Sequence, residues 1–156
     1  GDREAALVEL AAIEALEPQV DEIFMGNVYP ARDLLEIAKS LLRGEMAYRS
    51  GDAANAVLAF EDAVALQDAL PYTEPPFWYY PTRQSLGAAL LASNRLAEAQ
   101  AVFEEDLEQY PMNGWSMFGL AEALRRQGDE TGAEQMTARF KTVWQFADVS
   151  LATSIL

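Results

Sequence analysis

The residues from Tyr80 to Asn113, YPTRQSLGAALLASNRLAEAQAVFEEDLEQYPMN, constrain the fold more than any other stretch, because their pattern returns along the chain. Leu86, Leu90 and Leu91 recur at helical intervals, and so do Ala99, Val102, Phe103 and Leu107, which predicts two amphipathic helices. Between them stands Ser93-Asn94-Arg95, and asparagine tolerates the left-handed conformation in which a helix ends. Tyr110-Pro111 stops the second helix, since proline cannot continue the hydrogen-bond ladder and restricts the residue before it. Gly87 and Ala99 leave room for two helix backbones to approach, and Phe103 is large enough to fill the groove between hairpins.

Moving on by 34 residues turns Leu86, Leu90, Asn94 and Ala99 into Leu120, Leu124, Gly128 and Ala133, a further hairpin in register. Moving back by 43 turns Gly87, Ala99 and Phe103 into Gly44, Ala56 and Phe60, with Gly51 as the turn residue and Ala63 as another small packing position. The longer step places nine extra residues between the first and second hairpins.

This pattern resembles the tetratricopeptide repeat, a 34-residue helix-turn-helix with a Leu-Gly pair in its first helix, small packing residues, an aromatic in its second helix and a closing proline. Here those features fall on Leu86-Gly87, Ala99, Phe103 and Pro111, while Arg83 stands where the family favours tryptophan and Asp106 where it favours a small apolar residue. The resemblance implies an all-α fold, a right-handed superhelical solenoid of antiparallel helix-turn-helix units. About three full repeats are expected, with a leading half repeat and a long C-terminal capping helix. Residues 74 to 148 also look like the C-terminal repeats of long bacterial tetratricopeptide-containing proteins whose function is uncharacterised.

Taken in order as one repeat domain over 1–156, residues 2–17 read as a second helix without its first. Ala6, Leu10, Ile13 and Pro18 there fall at the spacings of Ala99, Phe103, Asp106 and Pro111. That reading implies that the natural chain extends further upstream. Residues 18–32 form a connector broken by Gly26-Asn27 and Tyr29-Pro30, and Asp33 caps the helix that follows. The first full repeat covers 33–69, the second 80–113 and the third 114–148. In the third the closing proline is missing, so its second helix is expected to run to about Asp148, as suits a solenoid end on which nothing stacks. The tail SLATSIL is expected to be weakly ordered or packed back along that helix. Between repeats, residues 70–79 form an insert rich in proline and aromatics, and Phe77, Trp78, Tyr79 and Tyr80 are either wedged into the structure or available for binding. Prolines should hold this strip extended.

Composition removes several classes of chemistry. The chain has neither cysteine nor histidine, so it lacks thiol catalysis, the usual general base and the usual transition-metal ligand. Glu104, Glu105, Asp106 and Glu108 lie consecutively on a helix and read as a solvated face, and no glycine-rich phosphate loop is present. No enzyme activity, metal or cofactor is expected. With 25 acidic and 11 basic residues the net charge is -14, which repels nucleic acid and anionic membranes and favours neutral or cationic partners. The longest apolar run, Leu86 to Ala92, is too short to span a bilayer. The N-terminus lacks the regions of a signal peptide, and a cytoplasmic location is favoured over a periplasmic one. At 156 residues the chain would bury roughly 70% of its unfolded surface as one domain, enough to fold without a disulfide or metal.

Recognition of a protein or peptide is the expected role. By the resemblance, first helices line a concave groove, which places Glu45, Tyr48 and Arg49, then Gln84, Ala88 and Leu91, then Phe118, Glu122, Arg125 and Arg126 on it, with Trp115 at an entrance. Arg49, Arg83 and Arg125 either clamp a carboxylate of the partner or pair with the chain's own acids. The lysine and asparagine set that holds a chaperone C-terminus in some family members is absent. The alternative role is a structural C-terminal module of a larger bacterial protein, with any catalytic or metal site upstream, that packs within that protein or dimerises through its N-terminal helix or its aromatic insert. A third possibility is a small-molecule pocket near Trp78, Tyr79 and Trp115.

Overall fold

The computed structural model describes residues 3–23 and 29–155. The described residues form seven α-helices and no strand: α1 (Arg3–Ile23), α2 (Ala31–Arg49), α3 (Ala53–Ala69), α4 (Arg83–Ala92), α5 (Leu96–Gln109), α6 (Gly114–Gln127) and α7 (Glu130–Val143). The chain divides into two compact units, Gly1–Thr82 and Arg83–Leu156.

In the first unit α2 packs against both α1 and α3. The turn between α2 and α3 closes on Gly51, whose φ of +81° suits glycine, with the Asp52 amide donating back to the Ala47 carbonyl at 2.9 Å. Asp52 then caps α3 by accepting from the Asn55 amide at 3.2 Å. Ile37, Leu41, Ala56, Val57, Phe60 and Ala63 are buried as its core. Phe60 lies so close over Gly44 that a Cβ there would stand 2.4 Å from the ring, which is why the small residue expected at this crossing is required.

Three boundaries differ from the sequence reading. The first helix does not stop at residue 17: it passes through Pro18 and continues to Ile23. Proline costs a helix one hydrogen bond, but here Glu14 and Glu17, on the turn before it, are tied to α2 by Arg43 at 3.1 Å and Lys39 at 2.9 Å. Ala6, Leu10, Ile13, Glu17 and Val20, the less exposed residues of α1, recur at helical spacing on both sides of the proline. Of the expected connector, Gly26-Asn27 lies outside the described residues. The second correction concerns Asp33, which sits inside the first turn of α2; Pro30 holds the capping position and supplies no side-chain bond.

The second unit is built from α4 to α7, with α5 packed on α4 and α6, and α7 on α6. Asn94 adopts a φ of 58° and Gly128 one of 86°; both are the left-handed stops their positions predict, and each precedes an amide that reaches back across the helix end, Arg95 to Leu90 and Asp129 to Leu124. Phe103 of α5 inserts between Gly87 of α4 and Gly119 of α6. The third correction is at the far end: α7 stops at Val143 and not near Asp148. Trp144 ends it by packing its ring over Gly114 and donating its indole N–H to the Val149 carbonyl at 2.8 Å, so the chain turns away from the helix axis.

Candidate functional site

The residues expected along a groove behave in three different ways. On α2, Glu45 and Arg49 form an i,i+4 pair at 3.0 Å beside the half-buried Tyr48. Burial pushes the Glu45 carboxyl above its usual range, against the pull of Arg49. On α4, every residue from Arg83 to Leu91 is buried. Arg83, Gln84, Ala88 and Leu91 are therefore not an open surface, contrary to the carry-over from the repeat pattern. Arg83 pairs with Glu105 of α5 at 2.8 Å. On α6, Trp115, Phe118, Glu122 and Arg125 run along one stripe at steps of three and four residues.

That α6 stripe meets α7. The Trp115 and Trp144 rings are edge to face at 5.6 Å, Phe118 and Phe140 at 5.7 Å, and Phe140 stacks on Trp144 at 5.5 Å. All four rings are half-buried, so each combines packing with an accessible part. At the end of the stripe Arg125 donates to Glu122 at 2.8 Å and approaches the Thr137 hydroxyl at 3.5 Å. Arg126 serves a different purpose: its guanidinium donates to the Leu91 carbonyl at 2.9 Å and the Asn94 side chain at 2.8 Å. It satisfies a carbonyl at the end of α4 and holds the turn that Asn94 makes.

A buried polar cluster lies at the other end of this unit. Asp106 is 0% exposed, which corrects its assignment to a solvated acidic face. Its Oδ2 accepts from the Ser116 hydroxyl at 2.6 Å and from the Asn113 amide at 2.7 Å. The Asn113 side-chain amide also donates to Gln84 Oε1 at 3.1 Å, and its oxygen caps α6 through the Trp115 amide at 3.1 Å. Asp106 Oδ1 is buried with no hydrogen-bond partner. The clue in the sequence was Asp106 standing at a position of the repeat that favours a small apolar residue; its partners gave no signal of their own.

Burial pushes the Asp106 carboxyl above its ordinary range, and the hydrogen bonds from Ser116 and Asn113 and the charge of Arg83 oppose that only in part. A carboxyl raised in the fold is a cost once ionised, present above the folded pKa and relieved as pH falls through it. Melting curves of the wild type and Asp106→Asn are therefore expected to converge or cross in the wild type's favour as pH is lowered from 7 toward 4. Other carboxyls cancel in this difference. A gap that does not change with pH would refute the raised carboxyl.

The insert is bent rather than extended. Thr73 Oγ1 donates to the Pro75 carbonyl at 3.0 Å, and the Glu74–Pro75 peptide is cis. Phe77 packs edge to face on Tyr29 at 5.4 Å, and Trp78, Tyr79 and Tyr80 lie against one another with centroids 4.8 to 6.2 Å apart. Tyr79 is 81% exposed, whereas Phe77, Trp78 and Tyr80 are half-buried. The strip is clamped to α3 by Gln67, whose amide donates to the Tyr80 carbonyl at 3.1 Å and whose oxygen accepts from the Thr82 amide at 2.8 Å and hydroxyl at 2.7 Å. Phe77 and the Gln67 clamp thus give the insert a packing role within the first unit.

Among the described residues no helix is long and apolar enough to cross a membrane, and no three acidic side chains gather as a metal-binding group. No protein-family model matches the chain, and no curated protein and no solved structure matches it.

Proposed function

We propose that the chain is a tetratricopeptide-type helical repeat that works as a non-catalytic interaction scaffold, holding an extended peptide or a partner helix against the first helices of its hairpins. The observation that carries this reading is the α6 stripe, where two half-buried aromatic rings, Trp115 and Phe118, lead to the Glu122–Arg125 pair. Tryptophan and arginine are the residue types in which binding energy concentrates, and a partly covered ring can gain area from a partner without the cost of ordering a free side chain. The Arg49–Glu45 pair with Tyr48 on α2 offers the same chemistry in the first unit. A net charge of -14 favours a neutral or cationic partner.

Arg49 and Arg125 have side chains 52% and 47% exposed, each in an ion pair with an acid of its own helix. Such pairs contribute little to stability, so Arg49→Ala and Arg125→Ala are expected to keep unfolding free energies within about 0.5 kcal/mol of wild type. Each is expected to lose at least ten-fold in affinity for a partner captured by the wild-type chain, read by titration of that purified partner. A partner that binds both variants as it binds the wild type would remove the reading.

The second reading, a structural module of a larger protein, is favoured by one feature: Arg83, expected to face a ligand, is buried and committed to Glu105. One self-association form is a dimer through α1, whose Leu7, Val8 and Leu16 are 48%, 62% and 49% exposed. A strict monomer by light scattering at high concentration would exclude that form.

A further inference from the structure

The segment after α7 differs in chemistry from the rest of the chain. From Val149 to Ile155 it reads VSLATSI and carries no charge, in a chain that is 23% charged. It has no regular secondary structure, yet its end is covered: Ser154 is 2% and Ile155 5% exposed, while Phe146, just before it, is 91% exposed. The Ser154 hydroxyl stands 3.5 Å from the Gln84 carbonyl in the first turn of α4, 70 positions away in sequence. Ile155 is oriented locally, its amide donating to the Thr153 hydroxyl at 3.1 Å. The turn that sends the segment back is held by the Trp144 indole on the Val149 carbonyl. The side chain of Gln84 is meanwhile fixed by Asn113 from the start of α6.

We infer that residues 149–155 occupy, within the same chain, a peptide-binding face at the start of α4, and that this face takes an extended, uncharged peptide with a hydroxyl side chain followed by a branched apolar one. The inference rests on the peptide-binding reading above and names the ligand chemistry at a second place on the unit. An irregular segment whose last residues are covered, with a hydroxyl set against the backbone of a helix distant in sequence, is held as a bound peptide would be. Its lack of charge fits a surface on a strongly acidic chain, where an acidic peptide would be repelled. Being tethered, the segment competes at an effective concentration in the range of ~1 mM, so the face is closed to weak ligands until the segment is displaced.

The test uses a fluorescent peptide of sequence VSLATSIL and two chains, the full one and one ending at Asp148, followed by fluorescence anisotropy. The shortened chain is expected to bind the peptide saturably, the full chain at least ten-fold more weakly, and neither to bind a peptide with aspartate in place of the isoleucine. Equal binding to both chains, binding of a scrambled peptide, or no binding by a shortened chain that keeps its helical circular dichroism would overturn the inference. Should the shortened chain fail to fold, the full chain carrying Ile155→Asp is expected to release its segment and bind the peptide. Absence of binding there is equally fatal. A full chain that dimerises by exchanging the segment would also overturn the intramolecular assignment. Arg125→Ala in the shortened chain separates the two readings: peptide binding that survives it while partner capture is lost supports both, and loss of the peptide alone leaves the scaffold reading intact.

Discussion

Phe103→Ala is expected to destabilise the second unit by about 3–5 kcal/mol, the range for removing a fully buried aromatic. Phe103 is 0% exposed, and two positions that meet its ring are glycines, Gly87 of α4 and Gly119 of α6. Neither glycine has a side chain that could swing into the space. Phe146→Ala supplies the contrast, because Phe146 is 91% exposed and its loss should stay within about 0.5 kcal/mol. Urea unfolding followed by circular dichroism measures both. A cost below about 1 kcal/mol for Phe103→Ala would mean that the ring does not join the three helices.

The same residue shows why the hairpins were legible. A large ring in the second helix of a hairpin, with glycine where another helix must cross it, is a local pattern with one mechanical solution, and it recurs as Phe60 over Gly44. Asn94, Gly51 and Gly128 were legible for a similar reason, since a left-handed residue is a property of its own position. Pro18 was misread because the factors that carry a helix past a proline, here Arg43 and Lys39 on the next helix, are not local. The end of α7 was misplaced for the same cause: Trp144 finds Gly114, thirty positions earlier.

The candidate site was less legible than the fold. Arg83 and Gln84 lie on a helix whose exposed and buried faces cannot be separated by periodicity, as α4 is buried from Arg83 to Leu91. Whether an arginine there meets a ligand or an acid of its own chain depends on Glu105 being within reach. The pairing of Trp115 with Trp144 and of Phe118 with Phe140 likewise depends on how α6 and α7 cross. The covering of Gln84 by Ser154 joins the two ends of the second unit, and nothing in either segment announces the other.

Gly119→Ala is expected to cost about 3 kcal/mol, at the upper end of overpacking substitutions, although alanine in a helix interior ordinarily gains about 0.5–1 kcal/mol over glycine. The sign reverses because a Cβ at residue 119 would stand 2.2 Å from Phe103 Cζ and 2.6 Å from two neighbouring ring carbons. The same ring edge also lies close over Gly87 of α4, where a Cβ would stand 2.3 Å from it. Relief must therefore come from separating α5 and α6 or from shrinking the ring. Phe103→Leu in the Gly119→Ala background should accordingly cost less than the sum of the two single changes, a coupling of about 1 kcal/mol or more for residues in contact. Strict additivity in this double-mutant cycle, or a stabilising Gly119→Ala, would show that the α5–α6 crossing is looser than the interlock of Phe103 with its two glycines requires.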